Sequence, residues 1–379
     1  MQRGKAPCGE AAGKGCEQPG KRPRAQTLGG VGPVVYNPPL PSRSTLKHHY
    51  SKHSKVLEKL RNIIDFGAWP GQPFPDATSC VPPVVRETAE AVTVRFADGE
   101  AVFARASGTL SRLVMGGKLL LQDRAGVVAG PRLTVVRAFV DNDRFKYGKA
   151  AFNGGMTQLR YHAKPYRVAK KEDGSATVTA RVTVNGAKSG GFEHVADWTF
   201  RSDGRVTVTH DVTPFGTLPA LTRLGMTWRL EPSLEKVAYY GRGPWENYID
   251  RKDGSLFGLW KTTVKDMFVD YMRPQDNGYR CDVRWVALTD ADGKGVRFTG
   301  SEPLFVQTSH YLWEDLYFAR HQLGDERRRA PLVPHDATFL NLDLRQSGFG
   351  DFNKNVLPME KYRFDAQHEK WTVELKVEK

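Results

Sequence analysis

From residue 84 to its end the chain is built of short runs in which apolar and polar residues alternate, and a period of two leaves few folds open to it. The runs are clearest at Ala91–Phe96, Ala176–Val184, Val195–Phe200, Arg205–Val212, Leu224–Leu230, Val283–Leu288, Phe339–Leu344 and Trp371–Val377. Each reads as a strand with one face turned to a core. Asp-Gly falls between such runs at 98–99, 173–174, 203–204 and 292–293. This pair reaches positive φ at low cost, which predicts hairpin turns. Helical periodicity over ten or more residues is scarce. The prediction for 84–379 is therefore an all-β domain, a large antiparallel sandwich of two sheets rather than a small barrel.

Residues 1–83 read differently. Positions 1–45 are rich in Gly, Pro, Lys and Arg and carry no hydrophobic period. They bury too little apolar surface to offset chain entropy, so a largely unstructured leader is expected. Val56, Leu57, Leu60, Ile63 and Ile64 fit one short amphipathic helix over 54–66. Pro70, Pro73, Pro75, Pro82 and Pro83 then mark a linker. Two regions follow: a basic leader and linker at 1–83, and a domain at 84–379.

The net charge of +14 does not point to nucleic acid. Residues 1–80 hold 12 basic against 5 acidic side chains, and the remaining 299 hold 44 against 37. Half the excess thus sits in the leader, and no basic stripe runs through the domain. Arg327, Arg328 and Arg329 stand beside Asp325 and Glu326 and read as a solvated loop. No run of 18 apolar residues and no N-terminal apolar segment occurs, so neither a membrane partner nor secretion is predicted, and the default address is cytoplasmic. Cys8, Cys16, Cys80 and Cys281 are scattered without a C-x-x-C pair, which gives no support to a disulfide framework or zinc site. His49 and His53, next to His48, would share a helix face, but no carboxylate accompanies them, and adventitious binding is the better reading. No metal and no cofactor are expected in this chain.

Tyr239-Tyr240-Gly241-Arg242-Gly243-Pro244-Trp245-Glu246-Asn247-Tyr248-Ile249-Asp250-Arg251 is the densest chemistry in the sequence. Neither the helical nor the strand period runs through it, and Gly-Arg-Gly-Pro cannot lie within a helix, so an irregular loop is predicted. Residue chemistry admits two readings. The rings and charges meet a polar ring-shaped ligand or a partner, or Arg242, Glu246 and Asp250 only satisfy one another and a turn.

This stretch resembles the "G-x-GP-x-ENY-x-DR" signature of the C-terminal domain, or small chain, of family 2 β-galactosidases. Three further segments resemble the same domain in the same order. Gly130-Pro131-Arg132-Leu133 with Arg137-Ala138 and Asp141-Asn142-Asp143 is similar to its opening "GPRL…RAPTDND", with Phe139-Val140 in place of Pro-Thr. Arg273-Pro274-Gln275-Asp276-Asn277-Gly278-Tyr279-Arg280 is similar to "P-x-ENG-x-R". Leu342-Asp343-Leu344-Arg345-Gln346-Ser347-Gly348-Phe349-Gly350 is similar to the terminal "D-x-x-Q-x-G-x-G". The resemblance covers 84–379 and implies a galactose-mutarotase-like supersandwich. It also implies a role in hydrolysing terminal β-galactosides such as lactose, beside a TIM-barrel chain or region that carries the catalytic glutamates. Only 83 residues precede the domain, too few for a barrel of about 250. No catalytic residue is therefore assigned to this chain.

The resemblance places Asp351, Phe352, Asn353, Lys354 and Asn355 near the sugar. The family's tryptophan would fall near Lys354 or Asn355, and this chain lacks it. Phe352 either substitutes for it or packs under the loop. Arg242, Trp245, Glu246, Asn247, Tyr248, Asp250 and Arg251 are assigned to stabilising the domain or its docking face. Hydrolysis needs two carboxyl groups about 5–10 Å apart, one of them protonated. Arg242 and Arg251 beside Glu246 and Asp250 favour ionised carboxylates, which suits ion pairs better than a general acid. Two alternatives stay open: a stand-alone sugar-binding or aldose-epimerase module, for which His194, His210 and His310 lie in or beside strands with Glu302 close to His310 in sequence, and a fragment without activity of its own. Trp198, Trp228, Trp285 and Trp371 fall on strand patterns and are expected in the core.

Overall fold

The alternating runs become strands that pair antiparallel throughout. The computed structural model describes residues 81–378 apart from 125, 144–146, 189, 320–331 and 352–356, all within the compact unit Trp69–Lys379. The expected leader and the helix at 54–66 lie outside the described residues, as do His48, His49 and His53. Strands β1 (Val84–Glu87), β2 (Ala91–Phe96), β3 (Gly99–Ala104), β4 (Thr109–Met115) and β5 (Lys118–Gln122) form a five-stranded meander in chain order.

The second sheet holds twelve of the described strands. In chain order these are β6 (Arg132–Thr134), β7 (Arg160–Lys170), β8 (Ala176–Asn185), β9 (Gly190–Phe200), β10 (Val206–Gly216), β11 (Arg223–Leu230), β12 (Lys236–Gly243), β13 (Leu256–Thr263), β14 (Arg280–Thr289), β15 (Gly295–Ser309), β16 (Thr338–Gln346) and β17 (Glu369–Glu378). The path β13-β12-β14-β15-β17-β10-β9-β8-β7 branches at β15. Residues Gly295–Gly300 pair with β17, whereas Phe305–Ser309 pair with β16, which leads to β11 and β6. One 15-residue strand thus belongs to two arms, and those arms pack face to face. Trp228 on β11 lies 5.8 Å from Trp198 on β9 and 5.1 Å from Phe298 on β15, ring centre to ring centre. The meander covers the same face, with Phe103 of β3 at 5.7 Å from Trp198 and 6.0 Å from Phe200. Helices α1 (Lys149–Asn153), α2 (Val264–Met267) and α3 (Trp313–Phe318) are short connectors. None of the helices described is long and apolar enough to cross a membrane.

The all-β architecture agrees with the sequence pattern, and the eight predicted runs fall on strands, with Arg205 alone lying one residue before β10. Gly174, Gly204 and Gly293 take φ of 77, 81 and 84° as predicted for Asp-Gly turns. The fourth turn differs: Ala97 carries the positive φ of 38°, and Gly99 opens β3. A Cβ at Gly99 would lie 2.6 Å from the Phe96 ring, so this glycine serves close packing rather than the turn. A larger correction concerns the loop predicted at Tyr239–Arg251. Its first five residues are the end of β12, where burial alternates through Val237, Tyr239, Gly241 and Gly243. A Cβ at Gly241 would stand 2.8 Å from the Val283 backbone, and one at Gly243 would stand 2.8 Å from the Trp260 indole. Glycine fills inward positions where neighbouring atoms leave no room for a side chain. Trp285 is also corrected: it is half-buried beneath the Arg297 guanidinium at 4.3 Å, whereas Trp198, Trp228 and Trp371 are buried.

Candidate functional site

Four segments far apart in sequence meet in one place. Arg137, just after β6, donates to both carboxylate oxygens of Asp143 at 2.9 and 2.8 Å, and both side chains are fully buried. The same guanidinium donates to the carbonyls of Ser347 at 2.6 Å and Gly348 at 3.4 Å, in the turn after β16. From the loop after β12, Tyr248 donates its hydroxyl proton to Asp276 at 3.0 Å. Tyr279 donates to Asp343 on β16 at 2.7 Å and accepts from Arg223 on β11 at 2.7 Å. Two guanidiniums and three carboxyls are thereby buried together. Such groups persist in an interior only when each has partners, because an unpaired buried ion costs several kcal/mol. A small apolar cluster of Val140, Tyr248, Tyr279, Cys281, Phe305 and Phe349 lies beside them.

This scaffold fixes the Ser347–Gly350 turn from several sides. The Phe349 ring lies 4.2 Å from the Tyr248 ring, with the Arg137 and Arg251 guanidiniums 4.3 and 4.9 Å from its centre. Asp250 accepts from the Gly350 amide at 2.8 Å, and the Asn142 amide group donates to the Gly350 carbonyl at 3.0 Å. Gly350 has φ of 67°. A Cβ at Gly348 would stand 2.7 Å from the Asp250 carboxyl carbon, so both glycines follow from the geometry. The turn runs into exposed Asp351. Phe352, Asn353, Lys354 and Asn355, the rest of the expected sugar-facing loop, lie outside the described residues.

The signature residues point mostly inward. Glu246 accepts from the Tyr271 hydroxyl and from the Gly278 amide at 2.7 Å. Asn247 is buried, donates to the carbonyls of Arg242 and Trp245, and accepts from the Cys281 amide at 2.9 Å. The sequence suggested ion pairs of Arg242 and Arg251 with Glu246 and Asp250, and this is corrected for Arg242. Its partner is Asp282, at 2.6 Å, because β14 lies beside β12 and its irregularity between Arg280 and Val283 brings that carboxylate to the guanidinium. Arg251 does approach Asp250, at 3.6 Å, but Asp250 Oδ1 makes no hydrogen bond. Trp245 is 76% exposed and points outward.

The profile of the family described as β-galactosidase small chain matches residues 96–375, which include all four converging segments. The chain belongs to that family. β-Galactosidase BgaC of Bifidobacterium adolescentis is 30% identical over 279 residues, covering 72% of this chain and 25% of that protein. A β-galactosidase of Priestia megaterium is 29% identical over 175 residues, covering 46% and 16%. The chain thus spans a quarter or less of the length of these relatives. Among solved structures, galactose 1-epimerase from Lactobacillus acidophilus aligns over 78% of this chain and 98% of its own, at 12% identity and a TM-score of 0.41.

Within this small-chain domain, burial pushes the Asp276 carboxyl up to about 7, against the pull of Arg137 and Arg223. A protonated Asp276 leaves two arginines facing two carboxylates, a neutral cluster, which is the arrangement an interior tolerates. A folded-state value above the unfolded one means that the folded protein holds the proton, so this group removes stability as pH rises from about 4 to 7. Asp276→Asn keeps an acceptor for Tyr248 and removes the titration. Relative to the parent, the variant is expected to gain about 1–3 kcal/mol more at pH 8 than at pH 5 in urea unfolding. An equal difference at the two pH values would contradict the assignment.

The histidines behave otherwise. His194 Nε2 and His210 Nδ1 share one hydrogen bond at 3.0 Å on adjacent strands, and among the described residues neither meets a carboxylate by hydrogen bond. Burial lowers both, His194 to about 4. They oppose the Asp276 effect, because stability is lost as pH falls from about 6.5 to 4; parent and variant carry this effect alike. His310 bonds Glu235 at 2.9 Å, not Glu302, whose partner is Arg345. Sequence reasoning also missed Arg223. Its only signal was a basic residue directly before an alternating run, and its partners lie on three other segments.

Proposed function

We propose that the chain acts as the non-catalytic portion of a family 2 β-galactosidase. In this reading it forms one wall of a galactoside site whose acid and nucleophile glutamates sit on a TIM-barrel chain or region. The observation that carries the reading is the convergence of the four motif segments on the root of the 351–355 loop. A buried scaffold of this kind sets where that loop leaves the domain, to the sub-ångström tolerance that substrate positioning requires. Glu246 and Asp250 support the same view, since both are engaged in holding neighbouring backbone. Outward-facing Trp245 and Met272, at 76 and 90% exposure, suit a surface that a larger partner covers.

The test is hydrolysis of a chromogenic β-galactoside by this chain mixed with a β-galactosidase truncated before its C-terminal domain. The mixture is expected to turn over, and the chain alone is not. Asp250→Ala frees the Gly350 amide while leaving the Arg137–Asp143 pair in place, and is expected to reduce kcat of the mixture about ten- to a hundredfold. Turnover by the chain alone would place the catalytic pair here and overturn the proposal.

A further inference from the structure

A cleft of about 700 Å³ lies between the segment around α2 and the end of β15. Its volume falls within the range of small-molecule sites. Two aromatic rings form one side: Phe268 and Tyr311, both half-buried, with ring centres 4.8 Å apart and planes tilted by 42°. Leu332 and Pro334 add apolar surface. Lys265, Asp270 and His310 supply the polar groups at its edge. The Lys265 ammonium and the Tyr311 hydroxyl make no hydrogen bond among the described residues, and both remain available as donors.

The frame beneath these groups is fixed. Glu235 accepts from the Lys265 amide at 3.0 Å with one oxygen and meets His310 Nε2 at 2.9 Å with the other. His310 Nδ1 meets the Ala337 carbonyl at 2.8 Å. One carboxylate therefore sets both the start of α2 and the imidazole. Lys265 brings a positive group to the cleft, Asp270 and Glu235 bring negative ones, and Glu235 is bonded to His310, so the lining presents no field of one sign to an ion. Two half-buried rings beside two donors suit a neutral ring whose C–H groups meet aromatic surface while its hydroxyls bond at the rim.

We infer that this cleft is a binding site for a neutral pyranoside, lined by none of the residues of the Ser347–Gly350 turn. It would hold a sugar unit without taking part in bond cleavage. The inference rests on the proposed function only for the choice of a galactoside as probe, and its test needs no partner chain. Saturation-transfer NMR on the intact chain with lactose is expected to show binding with a Kd of a few mM, roughly the affinity of one stacked sugar. Tyr311→Ala should weaken it about tenfold, and Lys265→Ala, an exposed change that leaves the rings in place, about threefold. Val84→Ala, an exposed change on β1, should leave it unchanged. Absence of transfer at about 50 mM lactose, or undiminished transfer in both cleft variants with retained β-sheet circular dichroism, would overturn the inference. Lactose binding here combined with a silent complementation assay would reject the proposed function and leave the cleft standing.

Discussion

Replacing Arg137 with leucine is expected to lower the unfolding free energy by about 3–5 kcal/mol, because it strands the buried Asp143 carboxylate. Arg137 is fully buried and makes hydrogen bonds to Asp143, Ser347 and Gly348. Burial works against its charge, yet Asp143 more than offsets this and raises the guanidinium above its ordinary value. The loss in Arg137→Leu is therefore that of an orphaned ion rather than of the pair's net worth. Changing Asp143 to leucine as well removes both charges, and the double variant should recover at least half of the deficit. Urea unfolding of the two single variants and the double one measures the coupling. A single-variant cost below about 1 kcal/mol would mean that water reaches the pair. Since Arg137 also holds the Ser347 and Gly348 carbonyls, the double variant, though folded, should remain impaired in the mixed hydrolysis assay. That separates the stability of the scaffold from its placement of the turn.

Trp228→Ala is expected to cost about 3–5 kcal/mol, the range for truncating a large buried aromatic. Trp228 is fully buried where the two arms of the branched sheet face each other, with Trp198 and Phe298 edge-on to it. Its cavity would open between strands held by their own ladders, which cannot close in to fill it. Its indole N–H makes no hydrogen bond, so Trp228→Phe removes an unsatisfied donor along with some volume. That variant should cost about 1 kcal/mol or less. Thermal or urea unfolding of both variants tests the pair of values. A phenylalanine variant as unstable as the alanine one would show that shape, not burial, sets this position.

Much of the fold was legible because β-structure with one buried face writes its period directly into sequence. Ala176–Val184 and Trp371–Val377 alternate without interruption, and both became strands with every second residue inside. Legibility failed where a position answered to neighbours from distant segments. β12 was read as loop because Gly241 and Gly243 break the apolar alternation, yet they sit on its inward face under Val283 and Trp260. Trp285 was read as core, but the irregularities in β14 interrupt its register, and Arg297 covers the ring. Arg242 was paired with carboxylates near in sequence, whereas its partner Asp282 is forty residues away.

The sequence by itself determined the all-β class, the hairpin turns and, through four ordered motifs, the family. These rest on short-range physics, the two-residue period and the φ preference of Asp-Gly, or on residue order, and both are visible along a line. Only the tertiary structure decided what the motif residues do. Arg137, Arg223, Tyr248, Asp276, Tyr279 and Asp343 form one buried ionic scaffold beneath the terminal turn. A buried charge needs a partner at hydrogen-bond distance, and where that partner lies depends on how the strands are paired, which no local pattern encodes.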